Sequence, residues 1–318
     1  HHWPVWGKDN IQNFLTIQSD TYKYIHDQTV RLLNAGHTPN EIAELIELPA
    51  SLQQDFSNRG YYGTLKHNAK AVYQAYMGWF TANPATLDPL PEPQAAKRYV
   101  QAMGGADATI AHAQTLLNKV NDLDVDEVNK EYRWIAQLLN HVVLAEPDNI
   151  DAKSLLAKTY DQLGYMAESA PWRDFYLSGA FELRHGVQES GLSPKIMKEV
   201  LKQTPAEKFL EVLAIRLNGP KADGKSLAIK FNFTDVNKQY LLTLNNSVLR
   251  HAQANEETAA DATLNITQSL FLTLVTKEAS VKDALFSDDL SVDGSTLDLL
   301  SFFSLLDNPL GDFNIVTP

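Results

Sequence analysis

The stretch Leu227-Ala228-Ile229-Lys230-Phe231-Asn232-Phe233 decides how the second part of this chain folds. Its larger apolar side chains fall on every second position, and Ala228, Lys230 and Asn232 fill the positions between them. Successive side chains of a strand point to opposite faces of a sheet, so this period of two predicts a β-strand with one buried face.

The same alternation continues downstream of this stretch. It predicts a second strand over residues 240–244, a third over 248–252 and a fourth over 262–266. Asn245-Asn246-Ser247 lies between the second and third strands, where a hairpin turn is expected. Residues 313–316 are predicted as an edge strand.

Two helices are predicted among these strands. Thr267 is positioned to cap one of them, and Ser295 is positioned to cap the other. The helix after Ser295 is apolar on nearly all sides, from Leu297 to Leu306. Such a helix is buried in a core, lines an apolar cavity or meets a partner, and core burial is the default interpretation.

Upstream of about Gly191 the apolar spacing is helical. Thr38-Pro39-Asn40-Glu41 forms a capping box with proline in the first turn, which predicts a helix start. Further helices are predicted over residues 11–33, 65–80, 94–103, 107–120, 125–145, 150–163 and 168–185. The proline-rich residues 84–93 are predicted to be a linker. The fold class is therefore an all-α domain followed by an α+β domain.

Composition excludes several classes of function. The 318 residues are 44% hydrophobic and 21% charged, contain no cysteine and carry a formal net charge of −12. There is no Lys/Arg cluster to favour nucleic-acid binding, and no apolar run long enough for a transmembrane segment. The chain opens on His1-His2-Trp3-Pro4 without an initiator methionine or signal-peptide pattern, so we expect a processed form or a fragment.

Four stretches of the first part of the chain resemble a known family. They are His1-His2-Trp3-Pro4-Val5-Trp6-Gly7, Tyr22-Lys23-Tyr24-Ile25-His26-Asp27-Gln28-Thr29, Gly36-His37-Thr38-Pro39-Asn40-Glu41-Ile42-Ala43, and Asn58-Arg59-Gly60-Tyr61-Tyr62-Gly63 with its continuation from His67 to Gln74. Together they are similar to the segment that follows the catalytic domain in linear alkylsulfatases of the metallo-β-lactamase superfamily. These enzymes hydrolyse detergents such as dodecyl sulfate.

The resemblance implies a domain organisation. Residues 1–8 would be the tail of a metallo-β-lactamase catalytic domain whose remainder is absent from this chain. Residues 9–190 would form a helical domain that makes a homodimer, and residues 191–318 a sterol-carrier-protein-2-like domain that binds the alkyl tail. The family uses two zinc ions to activate water against an alkyl sulfate ester. Its members are commonly exported, so a periplasmic or secreted location is expected.

The resemblance also assigns site residues. His1, with His2 as the second choice, matches the last metal ligand of the superfamily. The main ligand motif His-x-His-x-Asp-His is absent, and zinc needs about three or four protein ligands, so this chain alone is expected to be inactive.

A polar loop next to glycines carries the other candidate residues. Arg59 offers a fork of donors suited to a tetrahedral oxyanion, and Tyr61, Tyr62 and Asn68 add neutral donors. His67 could bind sulfate or shuttle a proton in catalysis. The alternative is an interface loop with ordinary surface polarity. At the level of the whole chain, the alternatives are a non-catalytic lipid- or detergent-binding module and a pure dimerisation scaffold.

Overall fold

The computed structural model describes residues 3–187, 201, 203–275, 287–307 and 312–318. The chain divides into two compact units. One comprises His1–Gln188 together with Asn314–Pro318, and the other comprises Glu189–Phe313. His1 and His2, the two candidate metal ligands, lie outside the described residues.

The first unit is helical, as predicted. Its helices are α1 (Lys8–Asn34), α2 (Pro39–Leu45), α3 (Ala50–Gln53), α4 (Leu65–Met77), α5 (Glu92–Ala102), α6 (Ala106–Lys119), α7 (Val125–Ala145), α8 (Ile150–Met166) and α9 (Ala170–His185). Short 3-10 turns at Phe56–Asn58, Pro84–Thr86 and Val120–Asp122 interrupt the connections.

Local chemistry sets where these helices begin. The Thr38 side chain accepts a hydrogen bond from the Glu41 backbone, and the Glu41 side chain bonds back to Thr38, which confirms the capping box. Helix α5 starts inside the predicted proline linker, because a proline in the first turn costs no backbone hydrogen bond. Helix α4 ends at Met77 rather than near residue 80, because Gly78 adopts a positive φ of 72°.

Two apolar clusters hold the helical unit together. The larger one includes Ile135 and Leu139 of α7 and Leu156 of α8, and also contains several buried alanines. At Gly164 of α8, an added Cβ would approach the Leu177 side chain of α9 to 2.8 Å, so these two helices pack closely. The smaller cluster joins Leu32, Ile42, Ile46, Ala69 and Tyr73.

The two halves of α1 differ in burial. Ile25 and Leu32 in the second half are buried, whereas no residue before Asp20 is buried in this helix. The exposed residues include Ile11 and Leu15, which lie one turn apart.

The end of the chain packs into the helical unit. The Glu182 carboxylate of α9 accepts hydrogen bonds from the backbone N–H groups of Ile315 and Val316, at 3.0 Å for the shorter bond to each. Val316 also packs against the larger cluster of the unit. The prediction of an edge strand over residues 313–316 is wrong, because these N–H groups bond to a side chain and not to a strand.

The second unit is α+β. Its elements are α10 (Ala206–Arg216), a 3-10 turn at Pro220–Ala222, β1 (Leu227–Phe233), β2 (Lys238–Asn245), β3 (Val248–Gln253), β4 (Ala262–Ile266), α11 (Gln268–Val275), β5 (Leu290–Gly294) and α12 (Thr296–Ser304). The five strands form one sheet in the order β3-β2-β1-β4-β5. Strands β1 and β4 pair in parallel, and the other neighbours are antiparallel.

The predicted alternation sets the core of this unit. Ile229, Phe231 and Phe233 of β1 are all fully buried. Phe231 and Phe233 both contact Phe271 of α11 edge to face, with ring centroids 6.2 and 5.4 Å apart. Asn246 and Ser247 both adopt positive φ between β2 and β3, which confirms the hairpin turn.

Helix α12 corrects one prediction. Ser295 caps it as expected, accepting from the Asp298 backbone. Leu299 and Phe302 are buried, but Leu297 remains 79% exposed and Leu300 is exposed as well. Core burial therefore applies to one face of this helix, and the opposite face is apolar and exposed.

Among the helices of the described residues, none combines the length and the apolar character needed to cross a membrane.

Candidate functional site

The polar loop predicted as a site lies between the 3-10 turn at Phe56–Asn58 and helix α4. Asp55 begins it by accepting a hydrogen bond from the Ser57 backbone at 2.8 Å. Thr64 ends it by accepting one from the backbone of His67 at 3.0 Å, which starts α4. Two side-chain caps therefore fix both ends of the loop.

Arg59 forms an ion pair across the unit. Its Nε lies 2.7 Å and its Nη2 2.5 Å from Oε1 of Glu168, which precedes α9. The two side chains are 58% and 47% exposed. An exposed pair of this kind contributes about 0–1 kcal/mol, so an anion could displace the carboxylate at small cost.

The backbone of the loop is held by the turn between α8 and α9. The Ser169 hydroxyl donates to the Tyr62 carbonyl at 2.6 Å, and the Ala170 backbone N–H donates to the Tyr61 carbonyl at 2.8 Å. Ser169 also caps α9 by accepting from the Trp172 backbone. One short turn therefore both starts a helix and positions the loop.

Aromatic rings line one side of the loop. Tyr61 stacks on Phe56 with ring centroids 5.9 Å apart, and Trp3 also stacks on Phe56, with ring centroids 6.4 Å apart. The Arg59 guanidinium lies 6.0 Å from the centre of the Phe56 ring. Trp3, the first described residue of the chain, thus lies within reach of the candidate loop.

A cavity of about 340 Å³ brings four of the five loop candidates together. Its lining includes Arg59, Tyr61, Tyr62 and Asn68. Gln18 of α1 also lines it and donates to Ser57 and Asn58, at 2.6 and 3.0 Å. This volume falls within the size range of small-molecule sites.

His67 is placed differently from the other four candidates. It does not line this cavity, and its ring meets Trp172 of α9 edge to face with centroids 6.2 Å apart. The structure therefore brings Arg59, Tyr61, Tyr62 and Asn68 into one cavity lining, and His67, predicted to bind sulfate or shuttle a proton, is not part of that lining.

The sequence did not point to Gln18, Glu168 or Ser169 as part of this site. Ser169-Ala170-Pro171 carries a helix-start signal, but a signal of this kind gives no information on which distant loop the same serine contacts.

The described residues do not form a metal centre on their own. Among them, no group of three or more His, Cys, Asp or Glu side chains is placed to hold a metal ion. Zinc takes about three or four protein ligands, so the described residues do not fit a zinc site without further ligands.

Comparison with known proteins assigns both units. Residues 38–186 match the family model described as alkyl sulfatase dimerisation, and residues 194–318 match the one described as alkyl sulfatase C-terminal.

Individual relatives match along the whole chain. A linear primary-alkylsulfatase of Pseudomonas sp. is 44% identical over 100% of this chain and 46% of its own length. An alkyl/aryl-sulfatase of Saccharomyces cerevisiae is 42% identical over 100% of this chain and 47% of its own length. The solved structure of a stereoselective inverting sec-alkylsulfatase from Pseudomonas sp. matches with a TM-score of 0.88 and 38% identity, covering 100% of this chain and 48% of that one.

The chain thus spans about half the length of the relatives it matches. It belongs to the alkylsulfatase family and comprises the dimerisation and C-terminal regions of that family.

Proposed function

We propose that this chain is part of an enzyme that hydrolyses primary or secondary alkyl sulfate esters to an alcohol and sulfate. In this proposal it supplies dimerisation, part of the sulfate pocket and a surface for the alkyl tail. The observation that supports this proposal is the alignment of relatives named as alkylsulfatases with the whole chain. Within the chain, one cavity is lined by Arg59, Tyr61, Tyr62 and Asn68.

The sulfate-binding role rests on the loop between Arg59 and Asn68. Arginine presents paired donors to a tetrahedral oxyanion, and the tyrosine and asparagine side chains add neutral donors. Glu168 holds the Arg59 side chain in place until an anion competes for it. His67 is proposed to bind sulfate or carry a proton from its position beside Trp172.

The proposed reaction requires zinc, and the described residues do not supply enough ligands to hold it. His1, with His2 as the second choice, is proposed to contribute one ligand, and a metallo-β-lactamase catalytic domain to contribute the rest. The metal would activate the attacking water when bound.

A homodimer is proposed to form through the exposed half of α1. Ile11, Leu15 and Tyr22 recur at spacings of four and seven, which places them on one face of the helix. Burying such a face against a second copy removes apolar surface from water.

The dimer has its own test. Light scattering coupled to size exclusion should show a dimer for the wild type and a monomer for the double variant Ile11→Glu, Leu15→Glu. Ile150→Glu is the matched control, because Ile150 is an exposed apolar residue at the start of α8. Dimers in both variants would exclude this face.

A second candidate function is a non-catalytic module that binds lipid or detergent. The observation that favours it is the exposed apolar face of α12, with Leu297 and Leu300, together with Ile215 of α10, which is 81% exposed. The exposed apolar face of α12 would hold the alkyl tail in the enzymatic proposal, in a sterol-carrier-protein-2-like role.

Hydrolysis of dodecyl sulfate separates the two functions. We expect no sulfate release with zinc and this chain alone, and release when a separately expressed family catalytic domain is added. Arg59→Gln should then lower activity of the mixture, with Lys97→Gln on α5 as the control. Detergent binding without hydrolysis in the mixture would favour the binding module.

A further inference from the structure

The segment Asn314–Pro318, which we call the tail segment, belongs to the helical unit although it follows the α+β unit in sequence. The chain leaves the helical unit after residue 188 and returns to it at residue 314. The tail segment contains no helix or strand, and the Asn314 side chain donates to the Pro318 carbonyl at 3.4 Å. Its place in the helical unit therefore depends on contacts with the helices around it.

One side chain of the tail segment is directed into the helical unit. Val316 is half-buried and packs against the larger apolar cluster, whereas Ile315 is 72% exposed. A Cβ added at Gly179 of α9 would lie 3.3 Å from Cγ1 of Val316. A side chain at position 179 would therefore crowd Val316.

Gly179 stands where a glycine is locally unfavourable. It lies in the interior of α9, and glycine is a poorer helix former than alanine because it loses more conformational entropy on folding. Gly179 is buried, and the added Cβ would also lie 3.3 Å from Cδ2 of Tyr160 on α8. A packing role explains a glycine at such a position, since its missing side chain leaves room for Val316 and Tyr160.

A carboxylate lies one turn further along α9. Glu182 is three residues after Gly179 and therefore faces the same side of the helix. Its Oε1 accepts from the backbone N–H groups of Ile315 and Val316, both at 3.0 Å, and its Oε2 accepts from Ile315 at 3.1 Å. Hydrogen bonds to a charged acceptor are stronger than neutral ones. Gly179 and Glu182 thus form a site, which we call the notch, for two consecutive backbone N–H groups and one branched side chain.

The position of the notch in the sequence indicates a second copy as a partner. The notch lies within residues 38–186, which match the dimerisation model. The α1 face proposed above for the homodimer lies before residue 38, so it assigns no contact between copies to the matched residues. A second copy carries the same tail segment, and exchange replaces each noncovalent contact with an identical one. Such an exchange costs little once two copies are held together.

We propose that the notch of one copy binds the tail segment of a second copy, so that two copies in a dimer exchange their tail segments. Val316 then fills the space over Gly179 in the other copy, and Glu182 binds the backbone beside it. The exchange rests on the proposed homodimer, but it uses no residue of α1, no metal and no hydrolysis. It can therefore fail while the proposed enzymatic function holds, and the reverse.

Disulfide trapping tests the exchange, because the chain has no cysteine of its own. One chain carries Gly179→Cys and an affinity tag, and the other carries Val316→Cys, so only contact between copies can join them. The added Cβ at position 179 is close enough to Val316 for a disulfide. After mixing and mild oxidation, we expect a cross-linked mixed pair on a non-reducing gel. Ile315→Cys in place of Val316→Cys is the matched control and should cross-link about tenfold less, because its side chain is exposed.

The double variant Gly179→Cys, Val316→Cys in a single chain separates the possible failures. A cross-link within this chain, without a mixed pair from the two single variants, would overturn the exchange and leave the notch as a contact within one copy. No cross-link in either experiment would overturn the notch itself. A dimer by light scattering without a mixed pair would overturn the exchange and leave the homodimer intact.

A second measurement leaves Gly179 unchanged, in case its substitution impairs folding. Val316→Asp should raise the dimer dissociation constant about tenfold, measured by light scattering on dilution, because the exchanged contact would bury an unpaired carboxylate. Ile315→Asp, at the exposed neighbour, is the matched control and should leave the constant unchanged. Equal dissociation constants for Val316→Asp and the wild type would contradict the exchange.

Discussion

The cores of the two units differ in their most closely packed contacts. In the helical unit, fully buried positions include Ala113, Ala152 and Ala157, and Gly164 lies against Leu177. In the α+β unit, the buried layer contains a cluster of edge-to-face rings around Phe231, Phe233 and Phe271. Small side chains let helices approach one another, whereas large rings fill the space between a sheet and its helices.

This contrast predicts that opposite substitutions damage the two units. Removing volume should harm the α+β unit most, and adding volume should harm the helical unit. The remaining predictions concern polar contacts. In the helical unit, the Ser169 hydroxyl holds a loop. In the α+β unit, the Tyr240 hydroxyl bonds to Glu207 at the start of α10.

The largest effect is expected for Phe231→Ala. Phe231 is fully buried and contacts Phe271 and Phe303, so its loss should destabilise the α+β unit by about 3–5 kcal/mol. Calorimetric unfolding should show a shifted transition for this unit and an unchanged one for the helical unit. Phe303→Ala, at a partly exposed ring, is the control and should cost less. Equal shifts in both transitions would contradict the separation of the two cores.

The reverse substitution is Gly164→Ala in the helical unit. In an ordinary helix this change stabilises, but here the new Cβ would lie 2.8–2.9 Å from two atoms of Leu177. We expect a net loss of about 1–3 kcal/mol, measured by urea unfolding of the helical signal. Stabilisation instead would show that α8 and α9 separate easily, and the contrast between the two units would weaken.

Ser169→Ala should destabilise the helical unit by about 1 kcal/mol. It removes the cap of α9 and the hydrogen bond to the Tyr62 carbonyl. Ser169→Thr keeps a hydroxyl and is the matched control. Hydrogen exchange at residues 58–63 should rise in the alanine variant only, and an unchanged loop would show that Ala170 alone holds it.

The smallest effect is a pH dependence in the α+β unit. A hydrogen bond of 2.5 Å from Tyr240 lowers the pKa of Glu207 below its ordinary value. The pKa of Glu207 is therefore lower in the folded state than in the unfolded state. The ionised carboxylate stabilises the folded unit above about pH 4.5, and this contribution is lost as the pH falls through the folded pKa.

Glu207→Gln removes this dependence, which amounts to a few tenths of a kcal/mol because the carboxyl is near the surface. The urea midpoint should be measured above and below this pH range. The difference between the two midpoints should be smaller in the variant than in the wild type. Glu211→Gln on the same helix is the control. A wild-type chain whose stability does not fall in acid more than that of Glu207→Gln would contradict the prediction.

Features that depend on neighbouring residues could be predicted from the sequence. The capping box at Thr38, the cap at Ser295 and the turn at Asn246-Ser247 all formed as expected. Each of these features depends on contacts between residues close in sequence, so the local sequence pattern is sufficient to predict it. Strand β5, at Leu290–Gly294, was missed because its apolar alternation is too short to separate from a loop.

Contacts between distant residues were beyond this kind of prediction. The Arg59–Glu168 pair joins residues 109 apart in sequence, and the Ser169–Tyr62 hydrogen bond joins residues 107 apart. The prediction of an edge strand over residues 313–316 failed for the same reason, because the hydrogen-bond partner of this segment, Glu182, lies on α9. A pattern of apolar residues states which face is buried but not which distant side chain meets it.

The return of the last residues to the helical unit matters for anyone who divides this protein for biochemical work. A truncation after residue 187 retains every helix from α1 to α9, yet it deletes Ile315 and Val316. Glu182 would then lose the backbone donors that it binds, and the larger apolar cluster would lose Val316, which packs against it. A faithful helical domain therefore needs a linker that replaces residues 189–313 and keeps the final segment, in the manner used to excise an inserted domain.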